Sequence, residues 1–285
     1  MARRNSSHDS LPHLKRREDL GGGLFAAVRE CCELAARALV KHTDDGVHGV
    51  RQAFKRARAV LRLAEDAGAA PAKSLRREIA REARKFSALR DATVAARTAE
   101  KLAGDLADDA QAAARELARK KARQPNAAWW SARRAEFARI RHRLKRLGKS
   151  ELAPHELEAS LRCSVKRVDR QAKRACGDHD RETAHEWRKK VVVLREQILV
   201  ARTLLGAETD ELHDGLKRLA HRLGEATDCR VFIAAVEKHR SPARFGDAPS
   251  KLIAVAQKKQ KRALKRARKC WKKVRRMLRA GFSVA

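Results

Sequence analysis

Cations recur along residues 48–62 at the interval where a helix normally carries its buried apolar side chains. Counted from the first, they stand at i, i+3, i+7, i+10 and i+14, and they are His48, Arg51, Lys55, Arg58 and Arg62. This is the a/d spacing of a buried seam. An arginine presents a fork of donors that matches two anionic oxygens, and a lysine presents a point charge. The row therefore predicts the binding of an anion that extends along the helix.

A second copy of this row occurs farther along the chain. GVHGVRQAFKRAR aligns without a gap with TAHEWRKKVVVLR, so that three residues of the first copy, His48, Arg51 and Arg58, recur as His185, Arg188 and Arg195. Arg202 extends the second copy and Lys189 stands at its edge. Val192 and Leu199 interrupt it, so the first copy is the denser of the two.

Each row is followed by a helical stretch with three basic residues on one face. These residues are Arg77, Arg81 and Arg84 in the first copy, and Arg218, His221 and Arg222 in the second. Each face leads to an aspartate, Asp91 or Asp228. We expect each aspartate to pair with an arginine and fix the direction of its fork. A role as a catalytic base or as a metal ligand is the alternative.

The structural alternative for both rows is an ordinary solvated helix face, which is the usual place for a run of charges. Two features favour a binding surface: the row is duplicated, and few acids lie on it to pair with the cations. For His48 and His185 a structural role at the entry of each helix also stays open. If they face a polyanion, they would donate hydrogen bonds to it, more strongly when protonated.

The elements that must position these residues are helices. Stretches rich in Ala, Leu, Arg, Lys and Glu dominate, and the six prolines lie between periodic segments or in their first turn. The pattern predicts helices near 19–42, 45–66, 72–102, 105–122, 126–147, 154–176, 181–205, 208–239 and 249–280. No stretch alternates convincingly at the period of two that a half-buried strand requires. The predicted fold class is therefore all-α.

The repeat predicts how these helices are organised. The offset of 137 residues between His48 and His185 also carries Leu24 onto Leu161 and Asp91 onto Asp228. We expect a basic N-terminal tail at 1–18 and then one domain at 19–285. Its two homologous helical halves, 19–149 and 154–285, would pack about a pseudo-twofold axis.

Composition narrows the class of partner. The 285 residues include 68 Lys and Arg against 35 Asp and Glu, which gives a formal net charge of +33. Such self-repulsion favours an anionic polymer as the counter-ligand. With 43% hydrophobic residues in regular spacing, the chain is a folded basic protein and not a low-complexity tail. Tyrosine is absent and aromatic residues make up 4% of the chain, which argues against binding single strands by base stacking.

Several functional classes lack support in the sequence. No apolar run approaches the about 20 residues of a membrane span, and the N-terminus has no apolar signal core, so we expect a cytoplasmic protein. The six cysteines show no metal-binding spacing, and we expect inert thiols. No paired metal carboxylates or phosphate loop are recognisable, so we expect no enzymatic activity, no metal and no cofactor.

The stretches VHGVRQAFKRARAVLRL, AHEWRKKVVVLREQI, LRD and LGEATD resemble the CHAD domain, the conserved histidine α-helical domain, over about residues 19–285. The resemblance implies two helical bundles around a basic pore or groove that binds inorganic polyphosphate, and an association with polyphosphate granules. Carried over by position, the motifs assign this binding to His48, Arg51, Lys55, Arg56 and Arg58, and to His185, Arg188, Lys189 and Arg195. Two residues depart from the family pattern: Val192 replaces a lysine and Glu196 replaces an aromatic.

The resemblance implies a binding module, since nothing here resembles the triphosphatase domain that is fused to many relatives. A nucleoid-like protein that binds DNA or RNA is the main alternative, because the run from Lys251 to Arg279 contains no acid. A metal phosphohydrolase of the HD type is a weaker one. The HD dipeptide occurs at residues 8, 179 and 213, without a convincing quartet of ligands around any of them.

Overall fold

The structure is a computed structural model that describes residues 20–87, 89, 94, 97–100, 125–147, 151–177, 181–205, 209–238 and 247–281. The regular secondary structure of these residues is all helical, with no strand, which confirms the predicted all-α class. Eight helices have the following bounds: α1 Leu20–Leu39, α2 Asp44–Asp66, α3 Ala72–Lys85, α4 Ala127–Lys145, α5 Pro154–Gly177, α6 Arg181–Leu205, α7 Thr209–Lys238 and α8 Ala248–Gly281. The predicted tail at 1–18 and the predicted helix at 105–122 lie outside the described residues.

The prediction of one continuous helix at 72–102 is wrong, because α3 ends at Lys85. The next residue, Phe86, leaves helical geometry with φ −93° and ψ 2°. Its ring is buried against Trp129 and Phe137 of α4, with ring centroids 5.1 and 6.2 Å away. Burial of this aromatic ring outweighs the helical pattern of the flanking residues, which carried no glycine or proline to mark the break.

The helices pack in two groups. In the first part of the chain α2 packs against α1 and α3, and α4 packs against α1. In the second part α6 packs against α5 and α7, and α8 packs against α7 and α5. Helices α2 and α6 also contact each other, so the two row-bearing helices lie at the centre. The internal repeat and the division into halves at 149 and 154 stay predictions.

Helix α2 shows how the sequence separates its apolar face from its basic one. Thr43 caps its N-terminus by accepting a hydrogen bond from the backbone N–H of Gly46 at 3.2 Å, and two acids fill the first turn. The apolar residues of the helix, including Val50, Phe54 and Leu61, are buried in the core. Because charged and apolar residues occupy different arcs, burying one face leaves the other available.

Polar side chains of α5 and α6 fix α2 against the second part of the chain. Gln197 donates from Nε2 to the Ala59 carbonyl at 3.1 Å, and Ser160 donates from Oγ to the Leu63 carbonyl at 2.9 Å. Both donors are buried. Such contacts are directional, so they set the rotation of α2 about its own axis as well as its position.

A buried carboxylate completes this junction. Glu196 of α6 is 3% exposed, and it accepts hydrogen bonds from Arg56 Nε at 3.1 Å and from its neighbour Arg195. Removing one partner of a buried charge cluster is costly, because it leaves the other charges buried and uncompensated.

We predict that Glu196→Ala lowers the free energy of unfolding by about 3–5 kcal/mol, measured by denaturant titration. Glu158→Ala is the matched control. Its carboxylate pairs with Arg162 at 3.7 Å on an exposed surface, so its loss should cost less than about 1 kcal/mol. Equal losses in the two variants would contradict a structural role for Glu196.

Candidate anion-binding site

A pocket of about 540 Å³ opens between α2, α6 and α7. Its lining contains five Lys or Arg side chains, one histidine and one acid. The lining residues are Gln52, Lys55, Arg188, Val192, Arg195, Asp214, Lys217, Arg218, Ala220 and His221. Cations from three helices therefore converge on one concave surface, and among the described residues a single carboxylate lies with them.

The orientation of Arg195 in this lining follows from the buried carboxylate next to it. Arg195 donates from Nε to Glu196 Oε1 at 3.1 Å, while Arg56 holds the other carboxylate oxygen. Glu196 thus restrains an arginine at the wall of the pocket and links that wall to α2. The departure from the family pattern at residue 196 has a structural use here.

Arg188 packs against a glycine on the facing helix α7. A Cβ atom at Gly224 of α7 would lie 3.2 Å from Arg188 Nη2 and 3.5 Å from its Cζ. The guanidinium therefore lies against α7 at Gly224, and a methyl group there would require it to shift by a few tenths of an ångström. Because Gly224 belongs to the LGEATD motif, this packing is a physical reason for a glycine at that point of the motif.

Helix α7 supplies five lining residues: Ala220 and four polar residues at i, i+3, i+4 and i+7, which are Asp214, Lys217, Arg218 and His221. The neighbouring His213 is half-buried. Burial, reinforced by the positive charge of Arg195, holds the pKa of His213 below its usual range, so this imidazole is neutral at pH 7. His213 therefore adds no charge beside the pocket at neutral pH.

A second group of cations lies where α2 meets α3. Arg58 is half-buried, and its Nε has no hydrogen-bond acceptor among the described residues. Burial and the positive charges of Arg76 and Arg84 lower its pKa, yet an arginine stays charged in this range. Arg51 donates to Ser87 Oγ at 3.2 Å. The face of α3 named in the sequence is exposed, and no described acid pairs with its three arginines, Arg77, Arg81 and Arg84.

The structure brings four of the predicted site residues into the pocket: Lys55, Arg188, Arg195 and Arg218. Arg51, Arg58, Arg77, Arg81 and Arg84 belong instead to the cluster on α2 and α3. His48 is exposed and contacts Gln52 through its Nε2 at 3.3 Å, and His185 is half-buried on α6. Neither histidine lines the pocket.

Acids bind five further predicted residues, so the expectation of few acidic partners needs correction at these positions. Arg56 pairs with Glu196, Arg62 with Asp66, Lys189 with Glu186, Arg202 with Asp210 and Arg222 with Glu225. The reason is that each acid lies either within four residues on the same helix or on a helix brought close by packing. Asp91 lies outside the described residues.

Three contributors were not assigned from the sequence. Lys217 and Gln52 line the pocket, and Gly224 makes room for Arg188. The helical spacing of Asp214, Lys217, Arg218 and His221 was a usable signal for Lys217. The roles of Gln52 and Gly224 depend on how α2, α6 and α7 pack. The spacing of residues within one helix gives no information about that packing.

Other kinds of site find no support in the described part of the chain. It contains no cluster of three or more His, Cys, Asp or Glu residues that could hold a metal ion. It also contains no helix that is both long and apolar enough to cross a membrane. Cys31 and Cys32 are buried on α1, and burial raises the pKa of each thiol to about 12, so both are unreactive at neutral pH.

Comparison with known proteins agrees with this geometry. The family model of the CHAD domain matches residues 24–237, three quarters of the chain. The chain belongs to the CHAD family. No curated protein matches it. The crystal structure of the CHAD domain from the plant Ricinus communis superposes with a TM-score of 0.62 at 16% sequence identity. The alignment covers 96% of this chain and 95% of the plant chain, which shows a shared fold.

The CHAD match includes every residue that lines the pocket. It ends at residue 237, one residue before the end of α7, so α8 lies beyond it. The residues that line the pocket thus all lie within the region that matches the family model. Helix α8, the most basic of the described helices, lies outside that region.

We predict that Gly224→Ala weakens binding of an anionic ligand in the pocket without destabilising the fold. The new methyl group must displace the Arg188 guanidinium, which we expect to lower affinity about fivefold, or about 1 kcal/mol. Alanine is about 1 kcal/mol better than glycine inside a helix, so the melting temperature should be equal or higher.

A double-mutant cycle provides the control for this prediction. In an Arg188→Ala background the substitution at Gly224 should change affinity little, because the side chain that it displaces is gone. The same fivefold loss in both backgrounds would show that Gly224 acts by another route.

Proposed function

We propose that this CHAD domain binds inorganic polyphosphate in the pocket between α2, α6 and α7, and that it does so without catalysis. The observation that carries the proposal is the lining itself: five Lys or Arg side chains and one histidine share the pocket with one acid, Asp214. Mutually repelling cations held this way favour a polyanionic occupant.

The chemistry of the lining fits a chain of phosphates better than a nucleic acid. Polyphosphate presents closely spaced oxygens and has no bases to stack or read. The pocket offers arginine forks and lysine charges but no aromatic side chain, although aromatic platforms are the usual means of holding single strands. Arg188 and Arg218 would each bind a pair of oxygens, Arg195 would donate from the N–H groups that Glu196 does not occupy, and Lys55 and Lys217 would act as point charges.

The cluster on α2 and α3 extends this surface. Lys55 faces the pocket, while Arg58 on the same helix lies close enough to Arg84 for that charge to affect its pKa. Arg58 is half-buried, and its buried Nε lacks an acceptor among the described residues, so a phosphate beside its guanidinium would compensate this charge. Helix α2 would thus carry the polymer from the pocket toward the exposed arginines of α3.

A binding role without turnover follows from the same residues. Hydrolysis or transfer of a phosphoryl group usually needs metal ions held by several carboxylates, or a positioned base. The single pocket acid, Asp214, lies beside Lys217 and Arg218, which suits it to orienting those cations. Steady release of orthophosphate from polyphosphate by the purified protein, stopped by a chelator, would refute this part of the proposal.

In the cell, we propose that the protein localises to polyphosphate granules in the cytoplasm. A fluorescent fusion should form foci that coincide with stained granules. The foci should disperse in cells that make no polyphosphate. Foci that persist in such cells would point to another anchor.

We predict that Arg188→Ala and Arg218→Ala each weaken polyphosphate binding about tenfold or more, since a charge-assisted hydrogen bond contributes about 1.5–3 kcal/mol. Labelled polyphosphate and fluorescence anisotropy would measure this. Lys145→Ala and Arg146→Ala remove the same charge from exposed positions at the end of α4 and should change affinity less than about twofold. Equal losses in the two sets would mean that the pocket is not the site.

Competition identifies the ligand class. Unlabelled polyphosphate should displace the label from the pocket, whereas duplex DNA at an equal phosphate concentration should not. Full displacement by DNA would replace polyphosphate with nucleic acid as the ligand of the pocket.

We also predict that the logarithm of affinity falls linearly with the logarithm of salt concentration, because bound cations displace condensed counterions. For nucleic acids the slope is about 0.7–0.9 per phosphate contacted, so five or six pocket cations should give a slope of several. Arg188→Lys should keep most of the slope while losing affinity, because lysine retains the charge and lacks the fork. A flat salt dependence would rule out this mode of binding.

A further inference from the structure

Helix α8 presents a basic surface that the pocket does not use. From Lys251 to Arg279 its sequence contains no acid. The exposed cations of the helix number eleven: Lys251, Lys258, Lys259, Lys261, Arg262, Lys265, Arg266, Lys269, Lys272, Lys273 and Arg276. None of them lines the pocket between α2, α6 and α7.

The packing of α8 holds this surface on one side. At about 100° per residue the eleven cations span an arc of about 160°. The opposite arc carries the buried residues, among them Leu252, Ala267, Trp271 and Val274, and the helix packs along α7 with a smaller contact to α5. The exposed cations therefore stand on a rigid, convex half-cylinder and not on a mobile tail.

The charges at the centre of this face are not neutralised by the protein. Among the described residues no acid pairs with Lys258, Arg262, Lys265 or Lys269. Arg275, outside the exposed arc, binds Asp169 at 2.8 Å, and Lys273, within the arc, approaches Glu211 at 3.9 Å. Apart from Lys273, the middle of the face therefore stays positive.

We propose that the exposed face of α8 binds the phosphate backbone of double-stranded DNA without sequence preference. From Lys258 to Arg276 the row runs about 27 Å at 1.5 Å per residue. Duplex DNA carries one charge per about 1.7 Å of axis, so many phosphates lie within this length. The helix with its side chains is about 10–12 Å across, close to the about 12 Å width of the major groove.

The side chains of this face explain why contacts would go to phosphates and not to bases. The exposed cations include eight lysines and three arginines, and no exposed Asn or Gln accompanies them to read base edges. Trp271, the aromatic residue of α8, is buried with its ring centroid 6.1 Å from that of Trp187 of α6, so no stacking platform faces solvent on the described helix. A duplex fits such a face better than a single strand does.

The shape of the surface separates this ligand from polyphosphate and from double-stranded RNA. A convex helix seats in a groove, and a polyphosphate chain has none. The major groove of A-form RNA is deep and too narrow for side chains to read. The pocket, by contrast, is concave, and three of its five permanent cations are arginines.

The experiment measures the affinity of a labelled 30-base-pair duplex and of labelled polyphosphate for three proteins: the wild type, an α8 variant and a control variant. The α8 variant combines K258Q, R262Q, K265Q and K269Q. The control variant combines K41Q, R134Q, K145Q and R146Q, which remove the same charge from exposed positions of the first part of the chain. Circular dichroism and melting curves confirm that both variants fold.

We expect the α8 variant to lose DNA affinity about 100-fold or more. The slope of log affinity against log salt should fall by about 3 to 4, because four phosphate contacts are lost. The control variant should lose less than about fivefold. Polyphosphate affinity should stay within about twofold in both, because the pocket residues are intact.

Three outcomes would overturn the proposal. If the wild-type protein does not bind the duplex at physiological salt, α8 is not a DNA surface. If both variants lose DNA affinity equally, binding reflects net charge alone. If the α8 variant loses polyphosphate affinity as strongly as DNA affinity, the face belongs to the polyphosphate surface. Absence of polyphosphate binding to the wild type would refute the proposed function and leave the DNA result to be judged separately.

Discussion

The excess of positive charge is the constraint on which the rest of this structure depends. With 68 basic residues against 35 acids, 33 cations are in excess of the acids that could pair with them one to one. Three acids that are buried or half-buried lie where helices meet, and each binds two cations. Glu196 binds Arg56 and Arg195, Glu82 binds Lys85 and Arg133, and Asp66 binds Arg62 and Arg167. Packing of the helices buries these carboxylates more than the cations, and the cations compensate their charges.

Using acids at helix junctions leaves the other cations exposed on defined surfaces. The pocket between α2, α6 and α7 and the cluster on α2 and α3 share one helix, and α8, which packs along α7, carries a third surface. Each surface is backed by apolar packing that restrains its side chains. Pre-organised cations bind a polyanion at a lower entropic cost than cations on a mobile tail. The fold thereby places the excess cations on basic surfaces of different shape.

Much of the fold follows from spacing within single helices. The row at 48–62 predicted both a helix and the side of it that stays polar, and the break after α3 was missed because it depends on Phe86 packing against α4. The site was predicted less completely. Whether an arginine faces a ligand or an acid depends on a partner that can be 140 residues away, as with Arg56 and Glu196. Likewise, Gly224 has meaning for the site only because Arg188 lies across it.

The most direct test of the central claim is a crystal structure of the protein with a short polyphosphate chain. The proposed function predicts phosphate density in the pocket between α2, α6 and α7, with oxygens within hydrogen-bond distance of Lys55, Arg188 and Arg218. Density confined to α8, or an ordered chain elsewhere with the pocket filled only by water, would contradict it.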